Sequence, residues 1–313
     1  MCCLFGMIDV NNNFTGRDKS NMLSILAVAS EERGTDATGI AYNINGKLHI
    51  YKRPCPAHKM KMSVPNMANV IMGHTRMTTQ GSEKKNFNNH PFLGNVNNES
   101  FALAHNGILY NDKILRKNLK LPYSKIETDS YVAVQIIEKK KALDFESLKY
   151  MAEQVEGSFV FTALNHKNDL YIVKGDNPFC LCYFPETKLY LYASTENILV
   201  DAIKKMKLKP EKPERIDMQC GDILCICGNG ELMWNKFDAS SLLEDWQFPL
   251  YSSLTKRYYS PYHNTFEESE AEYLEDLKSI AAYMGYDSET LDYALQVGFT
   301  ADEIEELLYE GGF

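Results

Sequence analysis

Met1-Cys2-Cys3-Leu4-Phe5-Gly6-Met7-Ile8-Asp9-Val10 opens the chain. Residues 2–10 read as a buried strand with a reactive first residue. The small side chain of Cys2 favours removal of Met1, and the new N-terminus would then carry both a thiol and a free α-amine. The thiol is a nucleophile. The amine, whose ordinary pKa is roughly 7.7–8.0, is a base poised near neutral pH.

Outward from this strand the pattern is mixed. Asp18 is placed to cap a helix running to about Glu32. Strands near 38–44 and 47–52 are joined by Asn45-Gly46, a hairpin signal. Val70 to Arg76 reads as a strand, and Thr78 to Pro91 as a polar loop. Phe101 to His105 reads as a short strand ending at the turn dipeptide Asn106-Gly107. Thr128 or Asp129 starts a helix to about Glu138, and a second runs from Phe145 to Gln154. Strands follow at 157–164, 169–174, 179–184 and 189–193, then a helix from Glu196 to Met206, then strands near 215–217, 222–227 and 231–236. Antiparallel hairpins outnumber strand–helix–strand units. That predicts an α+β fold of two packed sheets flanked by helices, not a doubly wound parallel sheet.

Composition narrows the function classes. The 313 residues are 44% hydrophobic and 24% charged, with a formal net charge of −9. An acidic chain repels phosphate backbones, so no nucleic acid is expected as partner. No apolar run is long enough to span a membrane, and the N-terminus lacks a signal-peptide pattern, so a cytoplasmic location is expected. Cys180-x-Cys182 and Cys225-x-Cys227 lie in alternating apolar runs and read as free thiols on sheet faces, because zinc ligands usually show two-residue spacing. No metal and no cofactor are expected.

Polar clusters interrupt the apolar strands: Arg33-Gly34-Thr35-Asp36, Gly73-His74-Thr75-Arg76-Met77-Thr78-Thr79-Gln80-Gly81, Asn89-His90-Pro91-Phe92, His105-Asn106-Gly107 with Asn111, and Glu127-Thr128-Asp129-Ser130. In this order behind an N-terminal Cys-x-x-x-Gly, they resemble the class II glutamine amidotransferases of the N-terminal-nucleophile hydrolase superfamily. The resemblance covers roughly residues 2–200. It implies a four-layer αββα sandwich and a glutaminase chemistry running through a thioester.

The resemblance also implies roles. Cys2 would be the nucleophile. Asn106 and Gly107 would supply the oxyanion donors, through the side-chain amide and the backbone N–H. Arg76 would take the α-carboxylate of glutamine, with Thr79 helping and Thr78 a less certain neighbour. Asp129 would take the α-ammonium, and its alternative as a helix N-cap stays open. Arg33 and Gly34 would support the N-terminal region. His74, His90 and His105 look structural, because the α-amine already provides a base.

Two departures from the family pattern stand out. Cys3 replaces the usual Gly after the nucleophile, and Ala37 replaces a usual Ser. No synthase domain is recognisable after about residue 240. The organisation reads as residues 1–246 for the amidotransferase domain, 247–266 for a Tyr-, Ser- and Pro-rich connector, and 267–313 for an acidic three-helix module. That module would pack on the main domain or on a neighbouring subunit, which leaves a homo-oligomer open. The expected partners are glutamine or a γ-glutamyl compound, and a separate synthase subunit accepting ammonia. The alternatives are a γ-glutamyl amide hydrolase with another leaving group, or an inactive interaction protein of the same fold.

Overall fold

A computed structural model describes residues 2–206, 208, 212–244, 278, 288–296 and 304. The chain divides into two compact units, residues 1–243 and 244–313.

The first unit is built on two antiparallel sheets. Seven strands form one of them: β1 (Cys3–Asp9), β2 (Ala37–Ile44), β3 (Lys47–Arg53), β4 (Val70–Arg76), β9 (Cys180–Phe184), β10 (Leu189–Ala193) and β11 (Glu214–Ile216). Their order across the sheet is β11-β9-β10-β1-β4-β2-β3. Six strands form the other: β5 (Phe92–Val96), β6 (Glu99–Leu109), β7 (Gly157–Leu164), β8 (Leu170–Lys174), β12 (Asp222–Ile226) and β13 (Leu232–Lys236). Here the order is β13-β12-β8-β7-β6-β5.

The layering follows from the two-residue period of a strand. In β1, Cys3, Phe5 and Met7 face one way, against Met22, Leu23 and Leu26 of α1 (Gly16–Ala29) and Ile198, Leu199 and Ala202 of α5 (Glu196–Lys205). Leu4 and Ile8 face the other way and meet Ala102, Ala104, Val160, Leu164 and Ile172 of the second sheet. The outer face of that sheet carries Phe101, Leu103, Phe159 and Phe161. It is covered by Val132 and Ile136 of α3 (Tyr131–Lys140) and by Leu148 and Met151 of α4 (Phe145–Gln154). This is the expected αββα sandwich. β1 is buried on both faces throughout, which is why residues 3–8 read as an uninterrupted apolar run. Truncating Phe5, fully buried in the helix-facing core, would cost about 3–5 kcal/mol.

Three local expectations change. The cap of α1 is Thr15, whose side chain accepts from Asp18 N, while Asp18 sits at the third helical position and completes a capping box. Asn106-Gly107 is no turn: β6 runs through it to Leu109, paired with β7 from Ala102↔Leu164 to Leu109↔Gly157. Short α2 (Asp112–Asn118) and edge strand β5 have no counterpart among the expected elements. Asn45-Gly46 does close the β2–β3 hairpin, both residues at positive φ.

At the end of the first unit comes α6 (Ser240–Glu244), whose Leu242 joins the outer core. In the second unit α7 (Ser288–Gln296) is described, with Leu291 and Ala294 buried on one face and an ion pair from Asp292 to Lys278 at 2.9 Å. The expected connector and the other two C-terminal helices lie outside the described residues. Among the described residues, no helix is long and apolar enough to cross a membrane. All eight cysteines are free thiols.

Candidate active site

Sheet register places the first candidate. β1 pairs antiparallel with β4, Cys3 opposite Thr75, so Cys2 meets the C-terminal end of β4. Its Sγ lies 3.5 Å from the Met77 carbonyl oxygen. The Cys2 carbonyl accepts from Arg33 Nε at 2.9 Å, which fixes the backbone of Cys2. Gly34 allows that arrangement: a Cβ there would stand 2.5 Å from the carbonyl carbon of Arg76. Burial pushes the Cys2 thiol pKa up, with a backbone hydrogen bond from Met77 and the Arg76 charge acting against it. The thiol therefore stays protonated near neutral pH and needs a base to become a nucleophile.

Arg76 is 2% exposed at the end of β4. Nη1 donates to Asn89 Oδ1 at 2.8 Å, and Nη2 donates to the carbonyls of Gln80 and Gly81 at 2.6 and 2.9 Å. Much of the guanidinium is thus engaged in shaping the loop that carries Thr79. Its positive charge still faces the cleft, where burial lowers the guanidinium pKa and Cys2, Asp36 and Asp129 act to raise it.

Asp129 lies just before α3, and its Oδ2 accepts from Leu109 N at 2.7 Å. The helix N-cap is Ser130, with no side-chain cap bond, so Asp129 ties the helix entry to β6 instead of capping it. On β6, Gly107 sits at φ +144°, and a Cβ there would fall 1.8 Å from the Ser158 carbonyl oxygen. Only glycine fits. Asn106 is 1% exposed, and neither its Nδ2 nor its Oδ1 has a hydrogen-bond partner.

One narrow cleft collects these parts. It is lined by Cys2, Arg76, Thr79, Gly107 and Asp129, together with Met77, Gln80, His90, His105, Thr128 and Ser130. Arg33, Gly34 and Asn106 are not part of that lining, although Asn106 is joined to Gly107, which is. The lining comes from five chain segments that have no proximity in sequence.

Three histidines cluster at the cleft, with His90 and His105 in its lining and His74 in contact with both. His74 Nε2 contacts the His105 carbonyl at 2.9 Å, so it donates, and the His90 ring packs against His74 at a tilt of 33°, with centroids 4.2 Å apart. His105 Nδ1 meets Ser130 Oγ at 2.8 Å. Burial lowers all three pKa values, that of His74 to about 3 and that of His90 well below its ordinary value. They are neutral at pH 7. Sequence reasoning missed the cleft-lining carbonyl of Met77, and it missed Asn177, whose Nδ2 donates to Asn106 O at 3.0 Å. The polar Gly175-Asp176-Asn177-Pro178 break between apolar strands was the available signal.

The fold has solved counterparts. The glutamine phosphoribosylpyrophosphate amidotransferase from B. subtilis, complexed with ADP and GMP, superposes with a TM-score of 0.61 at 19% identity, covering 76% of this chain and 49% of that one. The layered sheets and this likeness define an N-terminal-nucleophile hydrolase fold. Residues 74–201 match the family described as "Glutamine amidotransferase domain". The glutamine--fructose-6-phosphate aminotransferase (isomerizing) of Chlamydia muridarum is 30% identical over 211 residues, 64% of this chain and 32% of the relative. The 7-cyano-7-deazaguanine synthase of Sulfolobus acidocaldarius is 25% identical over 209 residues, 63% of this chain and 44% of the relative. The chain thus carries a class II glutamine amidotransferase domain. It spans about a third of the length of the aminotransferase and under half that of the synthase.

Proposed function

We propose that the chain hydrolyses the side-chain amide of glutamine, with Cys2 as nucleophile once Met1 is removed. The observation that carries this reading is the convergence of Cys2, Arg76, Thr79, Gly107 and Asp129 on one cleft. A cation and an anion beside a thiol match the carboxylate, ammonium and amide of glutamine.

The steps follow from the site. The α-amine of Cys2 takes the thiol proton, and the thiolate attacks the amide carbon. The oxygen becomes an oxyanion facing the Gly107 N–H and the Asn106 amide, whose polar atoms lack other partners. Preorganised donors of this kind are worth roughly 2.7–4 kcal/mol each. The α-ammonium of Cys2 gives its proton to the departing nitrogen, the C–N bond breaks, and ammonia leaves. The γ-glutamyl thioester then reacts with water, giving glutamate and the free thiol. Arg33 and Gly34 hold the backbone of the N-terminal segment.

The names of the aminotransferase and synthase relatives support an acceptor for the ammonia on a synthase domain or subunit. The free thiols fit a reducing, cytoplasmic setting.

The test offers glutamine and a panel of γ-glutamyl amides to the mature protein, checked for Met1 loss by intact mass, and assays glutamate. Glutamine should be the best donor, and Cys2→Ala should release no glutamate while keeping the wild-type melting temperature within a few degrees. Glutamate release by Cys2→Ala would overturn the assignment. A γ-glutamyl amide turned over far faster than glutamine would instead make the chain a hydrolase with another leaving group.

A further inference from the structure

The loop after β8 reaches back to the peptide that joins Asn106 to Gly107. Asn177 is 6% exposed, and its Nδ2 donates to the Asn106 carbonyl oxygen at 3.0 Å. The same nitrogen would stand 2.8 Å from a Cβ on Gly107. The preceding residue anchors the loop, because Asp176 Oδ1 accepts from Phe159 N at 2.9 Å.

The direction of this peptide matters. Along β6, N–H groups alternate sides. Tyr110 N donates to Glu156 O, towards the chain leading into β7. Leu109 N donates the opposite way, to Asp129. Gly107, two residues before Leu109, shares the Asp129 side, which is the side of the cleft. The Asn106 carbonyl and the Gly107 N–H belong to one planar trans unit and point in opposite directions. Holding the carbonyl therefore aims the N–H. Pairing with β7 holds the strand here, Asn106 opposite Val160, and Gly107 adds no side chain of its own, so Asn177 supplies a second hold on the same carbonyl.

We propose that Asn177 is a positioning residue that aims the Gly107 N–H at the developing oxyanion. The inference rests on the glutaminase reading above. Asn177 lies outside the cleft lining, so its loss should weaken stabilisation of the transition state and leave the grip on the glutamine head unchanged.

Asn177→Asp keeps the shape and removes the donor. Asn177→Ser is the companion variant should the first fail to fold. With wild type as reference, kcat for glutamine should fall roughly 10- to 100-fold, with KM within about twofold. Alkylation of Cys2 by iodoacetamide, which forms no oxyanion, should stay within about twofold of wild type. A general structural lesion would slow both reactions together. Unchanged kcat in the folded variant, or an equal loss in the alkylation rate, overturns the proposal alone. A wild-type protein that releases no glutamate sinks this proposal and the glutaminase reading together.

Discussion

Asn106 stands in a costly position. A carboxamide has two donor hydrogens and an acceptor oxygen, and here both ends are buried without a partner. Each unsatisfied buried group costs about 1–3 kcal/mol, whereas an apolar group of similar shape is nearly neutral. A fold optimised for stability alone would place leucine there. The amide is explained if its partner arrives only during the reaction. Asn106→Leu should therefore lower kcat for glutamine by roughly 10²–10³-fold while leaving the melting temperature unchanged or raised. Parallel thermal melts and glutamate assays check this. A clear fall in melting temperature would mean that Asn106 holds the structure through contacts its amide does make, and the oxyanion role would lose its physical motive.

Elements show where a sequence reads plainly and where it does not. β4 and α4 fall at the expected Val70–Arg76 and Phe145–Gln154, because apolar content or periodicity fills their length. The sequence pattern cuts β6 short at Asn106-Gly107, since a dipeptide that favours turns says nothing about the β7 neighbour that keeps it extended. β5 is hidden by Pro91, Gly94 and Asn95, loop-type residues that an edge strand tolerates. Arg76, Thr79, Gly107 and Asp129 are legible because each sits in a polar motif that interrupts the apolar pattern, and Cys2 because it heads the chain. Asn177 is not, because its contact lies 71 residues away. The β4 terminus also shows a cost the motif does not reveal. Arg76 braces the carbonyls of Gln80 and Gly81 as well as Asn89, and Lys52 from β3 holds the Asn89 and Pro91 carbonyls beside it. Lysine at position 76 would keep the charge but lose the planar fork. Arg76→Lys should raise KM for glutamine about tenfold and also lower the melting temperature by a few degrees, since about three hydrogen bonds of a buried cation are disturbed. A rise in KM with no change in melting would show that the loop holds itself.

At the scale of the whole unit, the two sheets meet beneath the cleft through imidazoles. His74 from the seven-stranded sheet donates to the His105 carbonyl of the six-stranded one, with the His90 ring packed at a tilt between His74 and Phe92. Burial holds all three neutral, with the His74 pKa down to about 3. Unfolding exposes them to water, where their pKa returns to about 6.5. Below that value the unfolded chain binds protons that the folded one refuses, so stability rises with pH across the window and falls as the solution is acidified. For His74 and His90, whose values fall furthest, the slope is up to about 1.4 kcal/mol per pH unit below 6.5 for each, or about 2 kcal/mol by pH 5. His90 offers the cleanest test, because neither of its ring nitrogens has a hydrogen-bond partner and phenylalanine keeps an aromatic ring between His74 and Phe92. Urea unfolding at pH 7.5 and pH 5 should show wild type losing stability between the two, and His90→Phe losing about 2 kcal/mol less. Equal losses in both proteins would mean that His90 takes up its proton without unfolding, and that the seam between the sheets is open to water at acid pH.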